Sequence, residues 1–419
     1  MERLPMPLLS IPPPPIHAED PGSPPPEFIL LDPYGYLSAR ANATTAGAFT
    51  TAGHRILVTF WAAAPPRASC FTVHCPDLKP AAFVDMPKIL TTEDDLALLR
   101  VAICPRGDRH KSKDYFVYQA GTETEPPSLR PIPDADDYYV CDAAVLLRCR
   151  AGDMYFLAVL HPREINEEHC NLHLYSSKTG RWSTKLMHVD APPNFEYVYA
   201  NRVITVGGEL GSVGWVDLKR GILICDVLLD NHILRGIPLP LPLVTKQLRG
   251  YPMFLRNIIV LKGYIKIFAM ERPSSSTGYT CITEGWDAAT WKMNCSDIGS
   301  WKNSWEEDCT IKFSEVTVRN PADALMLPDL QEGDDTEPTL MRLSGGYPVL
   351  SLRDDDVVYI MHRPNPVEDK ASVIVVDMRS KTVKVVADFG SGRPIGYSFT
   401  YIESGISKYL GIWSLTRRS

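Results

Sequence analysis

From Phe28 onward the chain is built from short β-rich runs, and each run is closed by Gly, Pro, Asp, Asn or Ser. Examples are Arg55–Trp61, Leu98–Cys104, Tyr115–Gln119, Met154–Leu160, Tyr197–Val206, Ile265–Met270 and Val357–His362. Runs of this length and composition read as strands between turns. Prolines punctuate them at Pro65-Pro66, Pro126-Pro127 and Pro192-Pro193. Proline removes a backbone donor and breaks helices, so a bundle of long helices is excluded. Few segments show helical period; Thr91–Leu99 could begin one or two turns, with Thr92 as N-cap and Asp95 three residues on.

One unit recurs. A strand ends in an aromatic or acidic residue, a tight polar turn follows, and a second strand returns. Asn171–Met187, Val213–Leu228 and Val373–Phe389 are the clearest copies, and Phe71–Leu90 and Cys281–Ile298 are looser ones. Gly180, Gly221 or Lys381 stands where a left-handed backbone suits a hairpin turn. In the looser copy near Cys281, Trp286 to Trp291 reads as the corner. Such a hairpin is the outer half of a β-propeller blade, and runs such as Arg202–Gly207 would supply inner strands. Blades of about 40–50 residues with uneven loops predict an all-β, propeller-like domain of six or seven irregular blades over 28–419. Phe28–Leu31 is placed to pair with the last blade.

Ten of the 36 prolines fall in the first 27 residues. Residues 1–27 therefore read as a disordered, Pro-rich tail with polyproline II character at Pro12–Pro15 and Pro24–Pro26. The net charge of −7 and a pI near 5.8 give no general attraction to nucleic acid or anionic lipid. The basic run Arg106–Lys113 contains its own Asp108 and reads as a solvated loop. The apolar stretches Ile56–Ala64 and Ile237–Val244 are too short to span a bilayer, which takes about 20 residues. No signal-peptide h-region is evident, so the expected compartment is cytoplasmic or nuclear. The ten cysteines, several inside apolar strands, fit buried reduced thiols rather than a disulfide framework.

Candidate chemistry is sparse. Gly208-x-x-Gly211-x-x-Gly214 lacks the spacing and the following helix of a dinucleotide fingerprint and reads as an inter-strand turn. Cys70-x3-His74-Cys75 and His169-Cys170-x2-His173 lack the paired halves of a structural zinc site. The equally spaced Cys281, Cys295 and Cys309 have no nearby histidine in sequence to activate a thiolate. Asp217, Asp226, Asp287 and the run Asp354–Asp356 supply carboxylates. Asp217 and Asp377 sit where strands enter turns and read as backbone caps. Half of the eight tryptophans, Trp286, Trp291, Trp301 and Trp305, crowd one region. Trp286 and Trp291 fit core packing. Trp301 and Trp305, with Lys302 between them in a polar stretch, are the best candidates for a partner-contact loop. No catalytic residue, metal site or cofactor is predicted.

Three stretches carry a resemblance: Gly211–Leu228 (GSVGWVDLKRGILICDVL), Tyr347–Tyr359 (YPVLSLRDDDVVY), and Val375–Arg379 with Val386–Phe389. With the opening Leu30–Ser38 (LLDPYGYLS), they resemble the plant domain-of-unknown-function 1618 family, which is expanded in grasses. The resemblance runs from Phe28 to the C-terminus. It implies structural roles for Gly214, Trp215, Asp217, Gly221 and Asp226, and it implies no reaction or cofactor. Some members look similar to propeller-like domains that follow F-boxes. Here the leading 27 residues are too short and too Pro-rich for an F-box, so no F-box is evident in this chain. The expected role is a non-catalytic scaffold that presents loops to an unknown protein partner, without membrane or nucleic-acid binding. A hydrolase using channel-facing carboxylates, carbohydrate-active or otherwise, is the alternative.

Overall fold

The computed structural model describes residues 25–103, 113–133, 143–149, 152–162, 169–245, 248, 250–271, 274–277, 280–283, 285–299, 305–330, 338–364, 370–391 and 400–410. The tail expected at 1–27 lies almost wholly outside them.

The described chain is all-β and propeller-like, and its strands group into six antiparallel meanders. This is the lower of the two blade counts expected. The first meander joins Ala46–Phe49, Arg55–Trp61 and Ala68–His74. Ile29–Leu31 lies between Ala68–His74 and Ile402–Ser404, antiparallel to the latter, so the first strand closes onto the last as the sequence suggests. The second meander runs Lys88–Glu93, Leu96–Ala102, Lys113–Gln119 and Ser128–Ile132. The third runs Val145–Cys149, Met154–Pro162, His169–Ser176 and Arg181–Asp190. The fourth runs Arg202–Gly207, Ser212–Asp217, Gly221–Asp226 and Ile233–Pro238. The fifth is Arg256–Leu261, Tyr264–Glu271, Asp287–Asn294 and Glu306–Lys312, with a small hairpin, Ser274–Thr277 and Thr280–Thr283, inserted in it. The sixth is Gly345–Leu350, Val357–His362, Lys370–Asp377 and Thr382–Ser391. The third and fourth meanders merge into one eight-stranded sheet, because His188–Asp190 pairs in parallel with Ile233–Arg235.

Several local expectations change. Thr91–Leu99 is no helix: Asp94 adopts a left-handed φ of 54° and turns a hairpin between the first two strands of the second meander. Cross-strand pairing of Leu96, Leu98 and Val101 outweighs the capping signal. Phe71–Leu90 is divided between two sheets, and Trp286 to Trp291 runs into a strand rather than around a corner. The Val213–Leu228 hairpin is the central pair of its meander, not an outer one. Gly180 and Lys381 do adopt left-handed backbones, with φ of 66° and 54°. Gly221 does not, and its need is spatial: a Cβ there would lie 2.5 Å from the Phe195 ring and 2.8 Å from the Ile237 carbonyl oxygen.

The chain divides into two compact units. One comprises Met1–Val159, Leu174–Ser183 and Gly392–Ser419; the other comprises Leu160–His173 and Thr184–Ser391. The first buries Ile29, Leu31, Val58, Phe60, Phe71, Phe116 and Tyr118 together. In the second, one cluster gathers Ile259, Phe268, Trp286, Phe313, Val358, Ile374 and Val376. Another gathers Val216, Leu218, Ile222, Ile224, Ile258, Ile267 and Trp291. Cys70, Cys75, Cys149, Cys170, Cys225, Cys295 and Cys309 are free thiols. Burial pushes Cys225 up to about 12, against the pull of Arg235 and Lys185. Such thiols are inert at neutral pH. Among the described residues no helix is long and apolar enough to cross a membrane.

Candidate functional site

The residues of the GSVGWVDLKRG motif form the middle of the fourth meander. Ser212–Asp217 and Gly221–Asp226 are buried at every position, which a strand achieves only when both of its faces are covered. Trp215 is fully buried. Gly214 lets Ile204 close in, since a Cβ would stand 2.9 Å from its side chain. Asp217 is fully enclosed, and its Oδ1 accepts the Lys219 amide at 2.9 Å. Its Oδ2 accepts the Val198 amide at 3.2 Å and the Arg220 guanidinium at 3.2 Å. Asp226 accepts the Ser212 hydroxyl at 2.5 Å and the Arg235 guanidinium at 2.7 Å. Both carboxylates are thus saturated by local donors and hold turns and strands in register.

The tryptophan-rich segment is only partly described. Trp301 and Lys302 lie outside the described residues. Trp305 is half-buried, packs against the cluster around Ile258 and Trp291, and donates its indole N–H to the Pro238 carbonyl at 2.9 Å. Its polar handle is therefore engaged within the protein. Trp286 and Trp291 are core residues, as expected, and the Trp286 indole donates to the Leu343 carbonyl at 2.7 Å. The Asp354–Asp356 run is not simply solvated. Asp355 accepts from Lys262 at 3.1 Å, and Asp356 takes Arg379 in a bidentate pair at 2.7 and 2.9 Å. Among the described residues no three His, Cys, Asp or Glu side chains gather as metal ligands.

What sequence reasoning missed is a cleft of about 920 Å³ at the end of the fifth meander. Its origin is local. Glu271, Asp287 and Lys312 form one row across three strands, Glu271 opposite Asp287 and Asp287 opposite Lys312. Two residues further along the strands the row is Ala269, Ala289 and Thr310. Residues two apart share a face of a strand. Two alanines leave space where longer side chains would fill it, and Trp291 backs the same cleft. Arg256, opposite Ala269, crosses this space and is itself buried. It donates to the Leu218 carbonyl at 2.6 Å and to the Leu243 carbonyl at 3.0 Å. Burial pulls its guanidinium down to about 10, opposed by the charges of Glu271 and Asp217. Arg256 thus ties the motif turn at Asp217-Leu218 to the short helix Leu241–Thr245 on the cleft wall.

Glu307, Glu315 and Lys381 complete the charged lining, and Lys381 pairs with Glu315 at 2.5 Å. The connection from Leu239 to Leu255 contributes Pro242, Leu243, Leu248 and Leu255 to the wall. Beside them it exposes Leu241 (67%), Tyr251 (60%), Val244 and Phe254. This is the stretch whose apolar run, Ile237–Val244, is too short for a membrane helix. Of the carboxylates singled out by sequence, Asp287 alone reaches the cleft. Its partner Glu271 had no sequence signal beyond ending the run Ile265–Met270.

Residues 215–359, about a third of the chain, match the family model described as "Protein of unknown function (DUF1618)". The matched residues begin at Trp215 and end at Tyr359, within two of the stretches that carry the resemblance. Comparison with curated proteins returns no match. Among solved structures, apo AztD from Citrobacter koseri is similar at 13% identity and a TM-score of 0.28 over 75% of this chain and 61% of that one. The chain thus spans about three fifths of the AztD chain. The β-propeller domain of the Trilobed protease from Pyrococcus furiosus is similar at 12% identity and a TM-score of 0.27, covering 72% of this chain and 84% of that one. A levansucrase mutant from B. megaterium is similar at 10% identity and a TM-score of 0.31, covering 88% and 94%.

Proposed function

We propose that this DUF1618 protein is a non-catalytic interaction scaffold, and that the surface it offers a partner is the cleft of the fifth meander with the 241–254 connection. The observation that carries this reading is the juxtaposition of exposed Leu241 and Tyr251 with a cleft whose lining mixes apolar walls and charge. Large apolar side chains gathered beside a concavity mark recognition sites on soluble proteins. The lining counts four acidic side chains, Glu271, Asp287, Glu307 and Glu315, against Arg256, Lys312 and Lys381. Arg256 is committed to backbone carbonyls and Lys381 to Glu315. The fitting partner is an extended protein segment with apolar anchors and at least one cation. Loops carried on a rigid β framework are the usual bearers of such recognition. The protein acts in the cytoplasm or nucleus of a plant cell. Trp301 and Lys302, with the exposed part of the half-buried Trp305, are a second, smaller set of contact residues.

The test is affinity capture by the full chain from plant-cell extract, comparing wild type with Leu241→Asp/Tyr251→Asp and with Trp301→Ala/Trp305→Ala. Proteins held by wild type and lost from the first variant are expected, with a lesser loss from the second. Identical sets from all three would sink the reading.

One arrangement favours hydrolysis as a second reading: Glu271 and Asp287 are direct cross-strand neighbours on the cleft wall. Glycosidases place two carboxyl groups roughly 5–10 Å apart across the scissile bond. Turnover of a glycoside panel that is abolished by both Glu271→Gln and Asp287→Asn would establish that reading. No turnover by wild type would exclude it.

A further inference from the structure

Five of the ten histidines fall in one neighbourhood, on the last three strands of the third meander and at the start of the strand that joins it to the fourth. His161 lies on Met154–Pro162, His169 and His173 on His169–Ser176, His188 on Arg181–Asp190, and His232 just before Ile233–Pro238. His173 is fully buried, and its Nδ1 shares a hydrogen bond with the Thr184 hydroxyl at 2.9 Å. The bond places His173 beside Thr184 on the neighbouring strand. Four residues further out on each strand, on the same face, stand His169 and His188. Their ring centres are 5.4 Å apart with the planes tilted by 52°. The inner pair, His161 and His173, repeats the arrangement at 5.1 Å.

The outer spacing is that of a chelate. A tetrahedral ion with metal–nitrogen bonds of about 2.0–2.1 Å places two coordinating imidazole centres about 5 Å apart. His188 is exposed and His169 half-buried, so an ion can reach both rings. Among the described residues neither ring is held by a hydrogen bond. The backbone behind them is fixed: the His188 amide donates to the His232 carbonyl at 2.7 Å, and the His232 ring bonds the Leu186 carbonyl at 2.8 Å. Cys170 follows His169 directly and so faces away from the pair. It is buried, and burial pushes its thiol up to about 11. The sequence pairing His169-Cys170-x2-His173 is therefore not the ligand set.

We propose that His169 and His188 form a two-histidine chelate for a divalent late-transition-metal ion, with the remaining coordination positions left to water or to a partner's donor. Imidazole ligands suit Cu2+, Ni2+ and Zn2+ and disfavour Mg2+ and Ca2+. The neutral rings are the ligands, so protons compete with the ion for them.

The test uses the full chain and the metal ion alone. Calorimetric titration with Ni2+ at pH 7.5 is expected to show one saturable ion per chain. His169→Asn and His188→Asn should each weaken it at least about tenfold, since losing even an outer-shell partner of a metal ligand costs that much. His54→Asn, in the first meander, should leave it unchanged. Electron paramagnetic resonance of the Cu2+ form should show coupling to two imidazole nitrogens. Wild-type affinity in both outer-pair variants, absence of saturable binding, or fewer than two coupled nitrogens in the wild-type Cu2+ spectrum would each overturn the assignment. The spectrum reads the wild-type protein and is independent of how the variants fold.

Discussion

The fourth and fifth meanders share one architecture and use their carboxylates in opposite ways. In the fourth, Asp217 and Asp226 are buried and surrounded by donors within their own sheet. In the fifth, Asp287 and Glu271 stand at strand ends on the wall of an open cleft. The difference follows from what fills the face of each sheet. Gly214 and Gly221 let Ile204 and Phe195 close onto the fourth meander until no space is left. Ala269 and Ala289 in the fifth are too small to fill theirs, and the long Arg256 side chain bridges the gap by hydrogen-bonding to carbonyls. A buried carboxylate without donors would be costly, so the packed sheet must saturate its acids. The open sheet has no such requirement, because its acids stand on the wall of a cleft rather than in a closed core.

That contrast makes graded predictions. The largest effect belongs to the packed sheet: Trp215→Ala should cost about 3–5 kcal/mol, the range for deleting a fully enclosed aromatic side chain. Chemical denaturation would read it, and a loss under about 1 kcal/mol would mean that the fourth meander is looser than its burial indicates. Asp226→Ala comes next, at about 3 kcal/mol, because Arg235 and the Ser212 hydroxyl lose their acceptor. A smaller effect comes from the third meander. Burial first, and then the charge of His161, hold His173 down at about 4. The unfolded chain takes up that proton below about 6.5 while the folded chain does not. Its contribution to stability is therefore complete above about 6.5 and lost as pH falls toward 4. His173→Gln should remove up to about one proton from the uptake on unfolding at pH 5, measured from the pH dependence of the unfolding free energy. Asp287→Asn should change stability least, by under about 0.5 kcal/mol as for an ordinary surface substitution, and yet weaken partner capture. If it destabilises as much as Asp226→Ala, the proposed division between packed and open sheets fails.

Much of the fold was legible because strand signals are local. Alternation and turn residues mark the hairpins at Gly180 and Lys381, and the placement of Phe28–Leu31 points to its pairing with the end of the chain. Thr91–Leu99 misled because a capping pattern says nothing of the strand that pairs with Leu96–Ala102. Gly221 sits at a turn, yet its requirement comes from Phe195, 26 residues earlier in the chain. The cleft was illegible for the same reason. Its acids, Glu271 and Asp287, are separated by an inserted hairpin, and its space comes from two alanines that carry no signal on their own.

By itself the sequence determined the class: short punctuated strands can bury their apolar faces only by stacking into sheets, and the GSVGWVDLKRG stretch pointed to the family model that matches residues 215–359. It also determined which acids lie near turns, because a turn is made by adjacent residues. Tertiary structure alone decided which acids are saturated and which face open space, and which histidines face one another across strands. Those outcomes depend on strand register and on side-chain volumes brought together from distant parts of the chain, and neither is encoded in a local pattern.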